Sequence, residues 1–375
     1  MPLYYRIFRM RVFSIIAVSV LLCSPAIRAS QRNLNTQDTI QVVDTNKNYF
    51  IALPILFYGE ETNWGLGVSS GYYFTKEGKN KPSNIQGTLI YTLKNQVSLT
   101  LLPKFYTKTR DFYYSGQLKV DYYPDKFFGI GRNTPDSVQE DYISKDISLL
   151  FQRQRVMFDV IMAGIQGQWG YYQASGFKQG GQLIKDTITG TKSFFTSGLG
   201  LLFTWDNRDN FFYPTKGEFY KLSLLVNSRI FGSQLEYSRI TLDFRNYYPI
   251  TNGHLISVQF YGDITWGETP FQLLPSMGGS DILRGYYKGR YRDNDLAVAQ
   301  IEYRFPIYKW LKGSLFGSTG DVANEIDDFD FKELKYSYGF GLRARVNPAN
   351  IHLRFDVGFT QERRPAFYFT ASEAF

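Results

Sequence analysis

The sequence predicts an all-β fold, a sixteen-stranded antiparallel transmembrane β-barrel. Three observations lead to this prediction: an N-terminal export signal, sixteen later segments in which apolar and polar residues alternate, and an aromatic content of 18%. No later segment has the long apolar run of a membrane helix. If an exported chain without such helices is integral to a membrane, it must be a closed barrel, because only helices and closed barrels satisfy their backbone hydrogen bonds in lipid. The aromatic content suits the girdles that barrels carry at both membrane interfaces.

Residues 1–29 have the layout of a secretory signal. Three arginines precede the apolar segment 12–22, and the small residues Ala29 and Ser30 follow it. This apolar segment is too short to span a bilayer as a helix. We expect cleavage near Ala29, after which the formal net charge falls from +8 to +4, because four arginines and no acid are lost. That mild charge calls for no nucleic-acid partner.

The rest of the chain is predicted to form a polar periplasmic tether at 30–48 and a barrel at 49–375. Cys23, the single cysteine, lies inside the signal, so no disulfide framework is expected. Cleavage at Cys23 to form a lipoprotein remains an alternative, which the bulky Leu22 in front of it disfavours.

From Tyr49 onward the chain alternates in one segment after another, and turn residues separate the segments. Many of the segments reach about ten residues, the length that a tilted membrane strand needs. In order, the predicted strands cover residues 49–57, 64–74, 84–93, 96–106, 111–123, 141–153, 156–172, 194–205, 217–229, 235–248, 254–266, 296–305, 310–319, 334–346, 350–359 and 366–375.

The late strands show most clearly which face each residue occupies. Successive side chains of a strand point to opposite faces. We expect the apolar set to face lipid: Ile351, Leu353, Phe355 and Val357. We expect the charged set to face the lumen: Glu302, Arg343, Arg345 and Arg354. A soluble sandwich would alternate in the same way, but the strand lengths, the aromatic residues near strand ends and a C-terminal strand signal at Phe369 and Phe375 favour the barrel.

The connections between the predicted strands alternate between short and long. The short ones suit the periplasmic side, at 251–253, 305–310 and 347–350, and the long ones suit the cell surface, at 124–141, 173–192, 267–294 and 321–334. An even strand number then leaves both termini in the periplasm, with the barrel in the outer-membrane lipid of a Gram-negative bacterium. The acidic connection 321–334 is predicted to be a solvated surface loop, with a weak cation site as the alternative.

Motifs that would indicate catalysis lack their structural context. The segment 67–71, GVSSG, matches the pattern of a nucleophile elbow, but it lies inside an alternating strand and not at a strand-to-helix turn. His254 and His352 have no recognisable Ser or Asp partner. No metal-ligand spacing occurs. We therefore expect no enzyme, no metal and no cofactor, and a barrel hydrolase is the third and weakest hypothesis of function.

The connection 278–295, GGSDILRGYYKGRYRDND, is long, cationic and rich in glycine, although it joins two alternating segments. Three further segments accompany it: WDNRDNFFYPTKGEFY at 205–220, IEYRFPI at 301–307 and WLKGSLFGSTGDV at 310–322. Together they resemble the barrel domain of the BamA/TamA superfamily, also called the bacterial surface antigen family, which includes two-partner-secretion translocators. The resemblance covers residues 49–375.

This resemblance implies a sixteen-stranded barrel whose sixth extracellular loop folds back into the lumen. The family's loop tip reads V-R-G-Y or V-R-G-F. Here the corresponding loop motif consists of Gly278, Gly279, Leu283, Arg284, Gly285 and Tyr286. In the family, acids on the lumen wall hold the arginine. We therefore expect Arg284 to pair with Glu302, which shares the polar face of its strand with Arg304.

Two departures from the family pattern bear on function. Where the family has F-x-D-x-G, this chain has Phe316, Ser318 and Gly320, so a serine replaces the acid. The role of holding Arg284 would then fall to Glu302, with Asp243, Asp263 and Asp356 as the alternative wall acids. Family members that insert or secrete proteins carry POTRA domains before the barrel. The tether at 30–48 holds none, so we expect a member without them.

Two main hypotheses of function follow. The resemblance implies a barrel that assists the assembly or export of outer-membrane or surface proteins, with other envelope proteins as partners. The alternative is a passive pore or a structural barrel of an envelope complex, which the expected lack of POTRA domains and the serine at 318 favour. The seam between the first and last strands discriminates between the two, because assembly barrels pair these strands weakly.

Overall fold

The computed structural model of the chain is a closed antiparallel barrel of sixteen strands, as the alternation predicts. The structure describes residues 48–74, 83–107, 111–158, 160–185, 187–345, 352–361, 365–370 and 373–375. The predicted signal at 1–29 and the predicted tether, up to residue 47, lie outside the described residues. Within the described part of the chain, no helix has the length and apolar character needed to cross a membrane.

Besides the sixteen barrel strands, two strands of two residues each pair with one another inside the long connection 268–294. In chain order the strands are β1 Tyr49–Gly59, β2 Asn63–Phe74, β3 Ser83–Thr92, β4 Val97–Tyr106, β5 Phe112–Phe127, β6 Glu140–Met157, β7 Ile161–Ser175, β8 Phe194–Asp206, β9 Gly217–Asn227, β10 Tyr237–Thr251, β11 His254–Gly267, β12 Ser276–Met277, β13 Tyr291–Arg292, β14 Asp295–Tyr308, β15 Leu311–Ala323, β16 Lys335–Arg345, β17 His352–Thr360 and β18 Ala366–Thr370. Single 3₁₀ turns lie in the connections at Asp136–Val138, Arg229–Phe231, Phe271–Leu273 and Ile326–Asp328.

The barrel is apolar outside and polar inside. Along β6, Ile147, Leu149 and Phe151 are 44–49% exposed, whereas Gln152 and Gln154 on the other face are buried in the lumen. The same parity continues around the wall, because the antiparallel register joins outward residues to outward residues. An apolar exterior around a polar interior is the arrangement of a barrel that lies in lipid. The chain is therefore a transmembrane β-barrel.

The late strands follow the predicted faces. Leu353, Phe355 and Val357 share the outward face of β17, although Val357 is only 6% exposed; the predicted lipid-facing Ile351 lies outside the described residues. On the inward face, the predicted lumen residues are fully buried: Glu302, Arg343 and Arg354. Arg345 shares the parity of this set but is exposed at the last position of β16.

The seam between β1 and β18 closes the barrel. Tyr58 of β1 pairs with Phe369 of β18, and β18 ends at Thr370. In this register, residues 49–56 of β1 extend past the end of β18. On its other side, β1 pairs with β2 along its whole length. With five residues, β18 is the shortest of the sixteen barrel strands described.

The predicted last strand, 366–375, is half as long as expected. Residues 373–375 lie inside the lumen, where Glu373 is 3.0 Å from Arg343. Phe375 is 2% exposed, and its carbonyl oxygen accepts a hydrogen bond from Arg304 at 3.1 Å. The prediction of Phe375 as part of a terminal strand is therefore wrong, because lumen arginines bind the residues around it. Phe369 does lie on the outward face of β18.

Most of the long described connections lie at one end of the barrel, which we call the loop end; the other, which carries the connection 207–216, is the termini end. Those of the loop end are 128–139, 176–193, 228–236, 268–294 and 324–334. Residues of these connections and of the adjoining strand ends form two apolar clusters. One contains Met277, Leu283, Tyr286, Tyr291, Leu296, Val298 and Val322, and the other contains Phe127, Tyr142, Ala174, Leu183, Phe271 and Leu274.

The acidic connection 324–334 is mostly exposed, and the described residues contain no grouping of acids, histidines or cysteines suited to a metal.

Two neighbouring leucines in the middle of β6 test the assignment of faces. Leu149 is 44% exposed on the outward face, and Leu150 points into the lumen and is half-buried. We expect Leu149→Arg to lower the free energy of unfolding by about 2–4 kcal/mol, because it places a charge in the lipid midplane. Leu150→Arg should cost less. Urea unfolding of the barrel in lipid vesicles measures both, and a larger cost for Leu150→Arg would show that the faces are reversed.

Candidate functional site: the lumen network and the long loop

The connection 268–294, which we call loop 6, turns back into the lumen and buries its tip. Leu283 and Arg284 at the tip are fully buried. Leu283 has φ 48° and Gly285 has φ 125°, a region that glycine enters without strain. A Cβ at Gly285 would lie 2.8 Å from the Thr360 side chain. Both the turn and the close approach to β17 therefore require a glycine at 285.

Backbone hydrogen bonds close the base of the tip. Gly278 N donates to the carbonyl of Ile282 at 3.1 Å, and Gly279 N donates to the carbonyl of Tyr286 at 2.9 Å. The Tyr286 hydroxyl donates to the carbonyl of Tyr336 on β16 at 3.3 Å. The six residues predicted for the loop motif thus form one compact unit that is tied to the wall.

Arg284 binds two carboxylates at once. Its Nη2 lies 2.7 Å from Glu302 Oε2 on β14, and its Nη1 lies 2.6 Å from Asp356 Oδ2 on β17. Its guanidinium carbon lies 3.6 Å from the centre of the Phe316 ring on β15. A planar guanidinium suits this arrangement, because it donates in two directions and stacks on an aromatic face. One side chain therefore fixes the tip against three strands.

Three wall arginines share these carboxylates, and together they form the lumen network. Its members are Arg284, Arg304, Arg343, Arg354, Asp281, Glu302, Asp356 and Glu373. Arg343 lies 3.0 Å from Glu302 and also binds Asp356, and Arg304 lies 2.8 Å from Glu302. All four arginines are fully buried and face four acids. Removal of one member leaves a buried charge uncompensated, which typically costs about 3–5 kcal/mol.

Ser318 holds the loop through another residue and does not reach Arg284. Its hydroxyl donates to Gln300 Oε1 at 2.9 Å, and Leu283 N donates to the same oxygen at 3.2 Å. Gly320, two residues further along β15, leaves room for the tip, since a Cβ there would lie 3.1 Å from Leu283 Cδ1. The serine that replaces the family's acid thus positions the backbone of the tip.

Asp356, one of the three alternative wall acids, binds Arg284 in addition to Glu302. The other two candidates are occupied elsewhere on the wall. Asp263 pairs with Arg239, and Asp243 pairs with Arg245 at 2.6 Å. The first pair joins β10 to β11, and the second lies within β10.

The connection 207–216, within a segment that carries the family resemblance, sends a tyrosine into the lumen from the termini end. Tyr213 is 2% exposed, and the centre of its ring lies 4.2 Å from the centre of the His352 ring. Lys312 Nζ lies 3.8 Å from the Tyr213 ring centre, and the Arg304 guanidinium lies 5.1 Å from it. Through Arg304, this turn contacts the lumen network.

Asp209 holds the same turn together. Its Oδ1 accepts hydrogen bonds from Thr215 N at 2.9 Å and Lys216 N at 3.3 Å. Burial acts to raise the pKa of Asp209, but these hydrogen bonds outweigh burial and keep the pKa below its ordinary value. The stabilisation is therefore present while the carboxylate is ionised, and it is lost as the pH falls through that lowered pKa.

Sequence reasoning missed several residues that contact loop 6, among them Tyr368 and Glu61. The Tyr368 hydroxyl on β18 accepts a hydrogen bond from Gly285 N at 3.0 Å and donates to the carbonyl of Tyr286 at 3.2 Å. Tyr368 directly precedes the outward-facing Phe369 in β18, so the alternation of the strand could have identified Tyr368 as a lumen residue. Glu61 accepts a hydrogen bond from loop 6 in the turn after β1, and a turn carries no alternation that could have identified it.

A double-mutant cycle tests whether Arg284 and Glu302 act together. We expect Arg284→Ala and Glu302→Gln each to destabilise loop 6, with a coupling energy of about 0.5–3 kcal/mol, because each breaks the same buried pair. Protease nicking of residues 278–294 measures the effect. Arg155→Ala, at an exposed arginine of β6, is the matched control and should change little. Strictly additive effects of the two variants would mean that the residues do not interact.

Comparison with known proteins agrees with this architecture. A family model for the Omp85 superfamily domain matches residues 57–375. BamA from Haemophilus ducreyi, in a structure lacking POTRA domains 1–3, is similar with a TM-score of 0.61 at 15% identity, over 88% of this chain and 70% of that one. CdiB from Acinetobacter baumannii gives 0.56 at 10% identity, over 87% of this chain and 60% of that one. CdiB from Escherichia coli gives 0.54 at 9% identity, over 86% and 62%.

At these identities the solved structures show a shared fold alone, and this chain spans less than two thirds of the length of either CdiB chain. The family model, in contrast, covers most of the sequence, from before the end of β1 to the last residue. The barrel, its long inward loop and that match lead to one conclusion: the chain belongs to the Omp85 superfamily.

Proposed function

We propose that this barrel assists the assembly or translocation of outer-membrane or surface proteins, and that it admits a client segment at the seam between β1 and β18. Membership of the superfamily supports the general role, while the client has to be argued from the site. The observation that carries the proposal is the seam, where a strand of five residues faces one of eleven.

An incompletely paired strand edge is a template for another strand. Residues 49–56 of β1 extend past β18, and no residue in the described part of β18 faces them. We infer that the backbone N–H and C=O groups on that edge can pair with an incoming segment. Pairing of a client strand with this edge is β-augmentation, in which main-chain hydrogen bonds supply affinity and alternate side chains supply specificity. The β2 side of β1 is fully paired, so a client strand can add on one side only.

The lumen of the loop end favours this route over a passive pore. Two apolar clusters occupy it, and Met277, Leu283 and Phe271 within them are almost completely buried. An open aqueous pore would expose such side chains to water, at a cost of roughly 1.5–3 kcal/mol each. The competing function is that of a structural barrel that receives no client, and the experiment below distinguishes the two.

We infer that the protein resides in the outer membrane of a Gram-negative bacterium with the termini end toward the periplasm. The edge of β1 past β18 lies toward the termini end, so it would meet unfolded clients that arrive from the periplasm. Other envelope proteins would deliver these clients, and the packed apolar clusters would hold the loop end closed.

A disulfide across the seam tests the proposed route. Tyr58→Cys and Phe369→Cys introduce a directly opposed pair, and the only native cysteine is Cys23 in the predicted signal. We expect the oxidised variant to fail to restore the outer-membrane or surface proteins that are lost when the protein is depleted. Reduction of the disulfide should restore them, because a covalently closed seam cannot accept a strand.

The matched control is a disulfide in the paired interior of the wall. Leu201→Cys and Leu224→Cys are directly opposed on β8 and β9, and this variant should restore the same proteins whether oxidised or reduced. Quantitative mass spectrometry of isolated outer membranes is the measurement. Full restoration by the oxidised seam variant would contradict the proposal and favour the structural barrel.

A further inference from the structure

We propose that loop 6 is a clasp that holds the seam closed from inside the lumen, and that Glu61 is the positioning residue that ties this clasp to the β1 side. The inference deepens the proposed function, on which its biological purpose rests. Its physical content, the coupling of loop 6 to seam opening, can be measured without any client.

The tip of loop 6 is attached to the last two strands. Gly285 N donates to the Tyr368 hydroxyl of β18 at 3.0 Å, and that hydroxyl donates to the carbonyl of Tyr286 at 3.2 Å. Arg284 binds Asp356 of the adjacent β17 at 2.6 Å. The tip therefore moves with the β17–β18 side of the seam.

Two residues further along, the same loop is attached to the first strands. Lys288 N donates to Glu61 Oε1 at 2.9 Å, in the turn between β1 and β2. A Cβ added to Gly279 would lie 3.5 Å from the same oxygen, which shows how closely the loop approaches the carboxylate. Residues 286–288 thus cross from β18 to the β1–β2 turn, directly over the seam that Tyr58 closes.

Glu61 is a firm attachment point. It is 6% exposed, and its carbonyl accepts a hydrogen bond from Gln96 Nε2 at 3.1 Å, which ties the β1–β2 turn to the next turn of the wall. Burial raises the pKa of Glu61 and Asp125 adds to the rise, while the backbone amide of Glu61 itself and the backbone amide and ammonium group of Lys288 act against it. The carboxylate is therefore desolvated, and Lys288 of loop 6 supplies part of what stabilises its charged form.

Tyr287 adds a second contact on the same side of the seam. Its hydroxyl donates to Asp125 Oδ1 on β5 at 3.2 Å. The ammonium groups of Lys94 and Lys126 lie 5.6 Å and 5.8 Å from the centre of its ring. Of three consecutive residues, Tyr286 is thus bound to the β18 side of the seam, and Tyr287 and Lys288 are bound to the β1 side.

This arrangement explains how a five-residue strand can close the barrel. A short β18 offers few ladder hydrogen bonds to β1, so the loop supplies part of the closure that a longer strand would supply. Opening the seam then requires loop 6 to release either Glu61 or the β17–β18 tip. A segment that opens in this way is expected to exchange its amide hydrogens faster than the surrounding wall.

Hydrogen exchange of the purified barrel in lipid nanodiscs tests the clasp. We expect Glu61→Ala to accelerate exchange of the seam amides, at 55–59 and 366–370, by about tenfold, because a hydrogen bond to a buried carboxylate is lost. Exchange in β6 and β7, far from the seam, should stay at the wild-type rate. Glu60→Ala, at the exposed neighbouring acid, is the matched control and should leave both regions unchanged.

Two further variants separate a clasp from a merely structural role. Glu61→Gln keeps an oxygen acceptor for Lys288 N, so it should exchange close to the wild-type rate. Tyr368→Phe should accelerate exchange at the seam as well. Combined with Glu61→Ala it should add little, because either change alone interrupts the same connection across the seam.

Three results would overturn the proposed clasp. The first is that the seam amides exchange at the same rate in Glu61→Ala and Glu60→Ala, and the second is that Glu61→Ala accelerates exchange in β6 and β7 as much as at the seam. The third is that the effects of Glu61→Ala and Tyr368→Phe on the exchange rate are strictly additive. None of these outcomes bears on whether the seam accepts a client, since no client is present. Conversely, a seam disulfide that leaves client assembly intact would overturn the proposed function and leave the exchange result unaffected.

Discussion

The guanidinium of Arg284, buried between Glu302 and Asp356, is the interaction on which the lumen side of this barrel depends. A sixteen-stranded barrel encloses a lumen wide enough for water, so a loop that enters it needs a fixed point on the wall. Buried ion pairs contribute little net stability because desolvation offsets their attraction. They do fix geometry, and here one side chain joins loop 6 to β14, β15 and β17.

The alternation of apolar and polar residues predicted which strand residues face the lumen, whereas the sequence of the turns did not predict which turn residues contact loop 6. Parity along β14 places Glu302 in the lumen, and the resemblance places Arg284 at an inward tip, so their pairing followed from the two together. The position of Phe375 did not follow, because arginines from distant strands bind the residues around it. Glu61 was missed because a turn residue has no parity.

The lumen and the seam differ in how firmly they are held. Inside the barrel, the apolar clusters of the loop end and the lumen network further along the strands bury both apolar surface and charge. At the seam, a short β18 leaves much of the β1 edge toward the termini end without a strand partner from β18. A wall that is firmly packed except along one edge can accept a strand there without losing the rest of its structure.

Photocrosslinking from the edge of β1 tests the central claim most directly. Phe50 on β1 and Leu201 on β8 are 65% and 61% exposed on the outward face, so a photoreactive amino acid at either position meets the same lipid. The account predicts that position 50 captures outer-membrane or surface proteins during their synthesis and that position 201 does not. Capture at neither position, or equally at both, would contradict a client route through the seam.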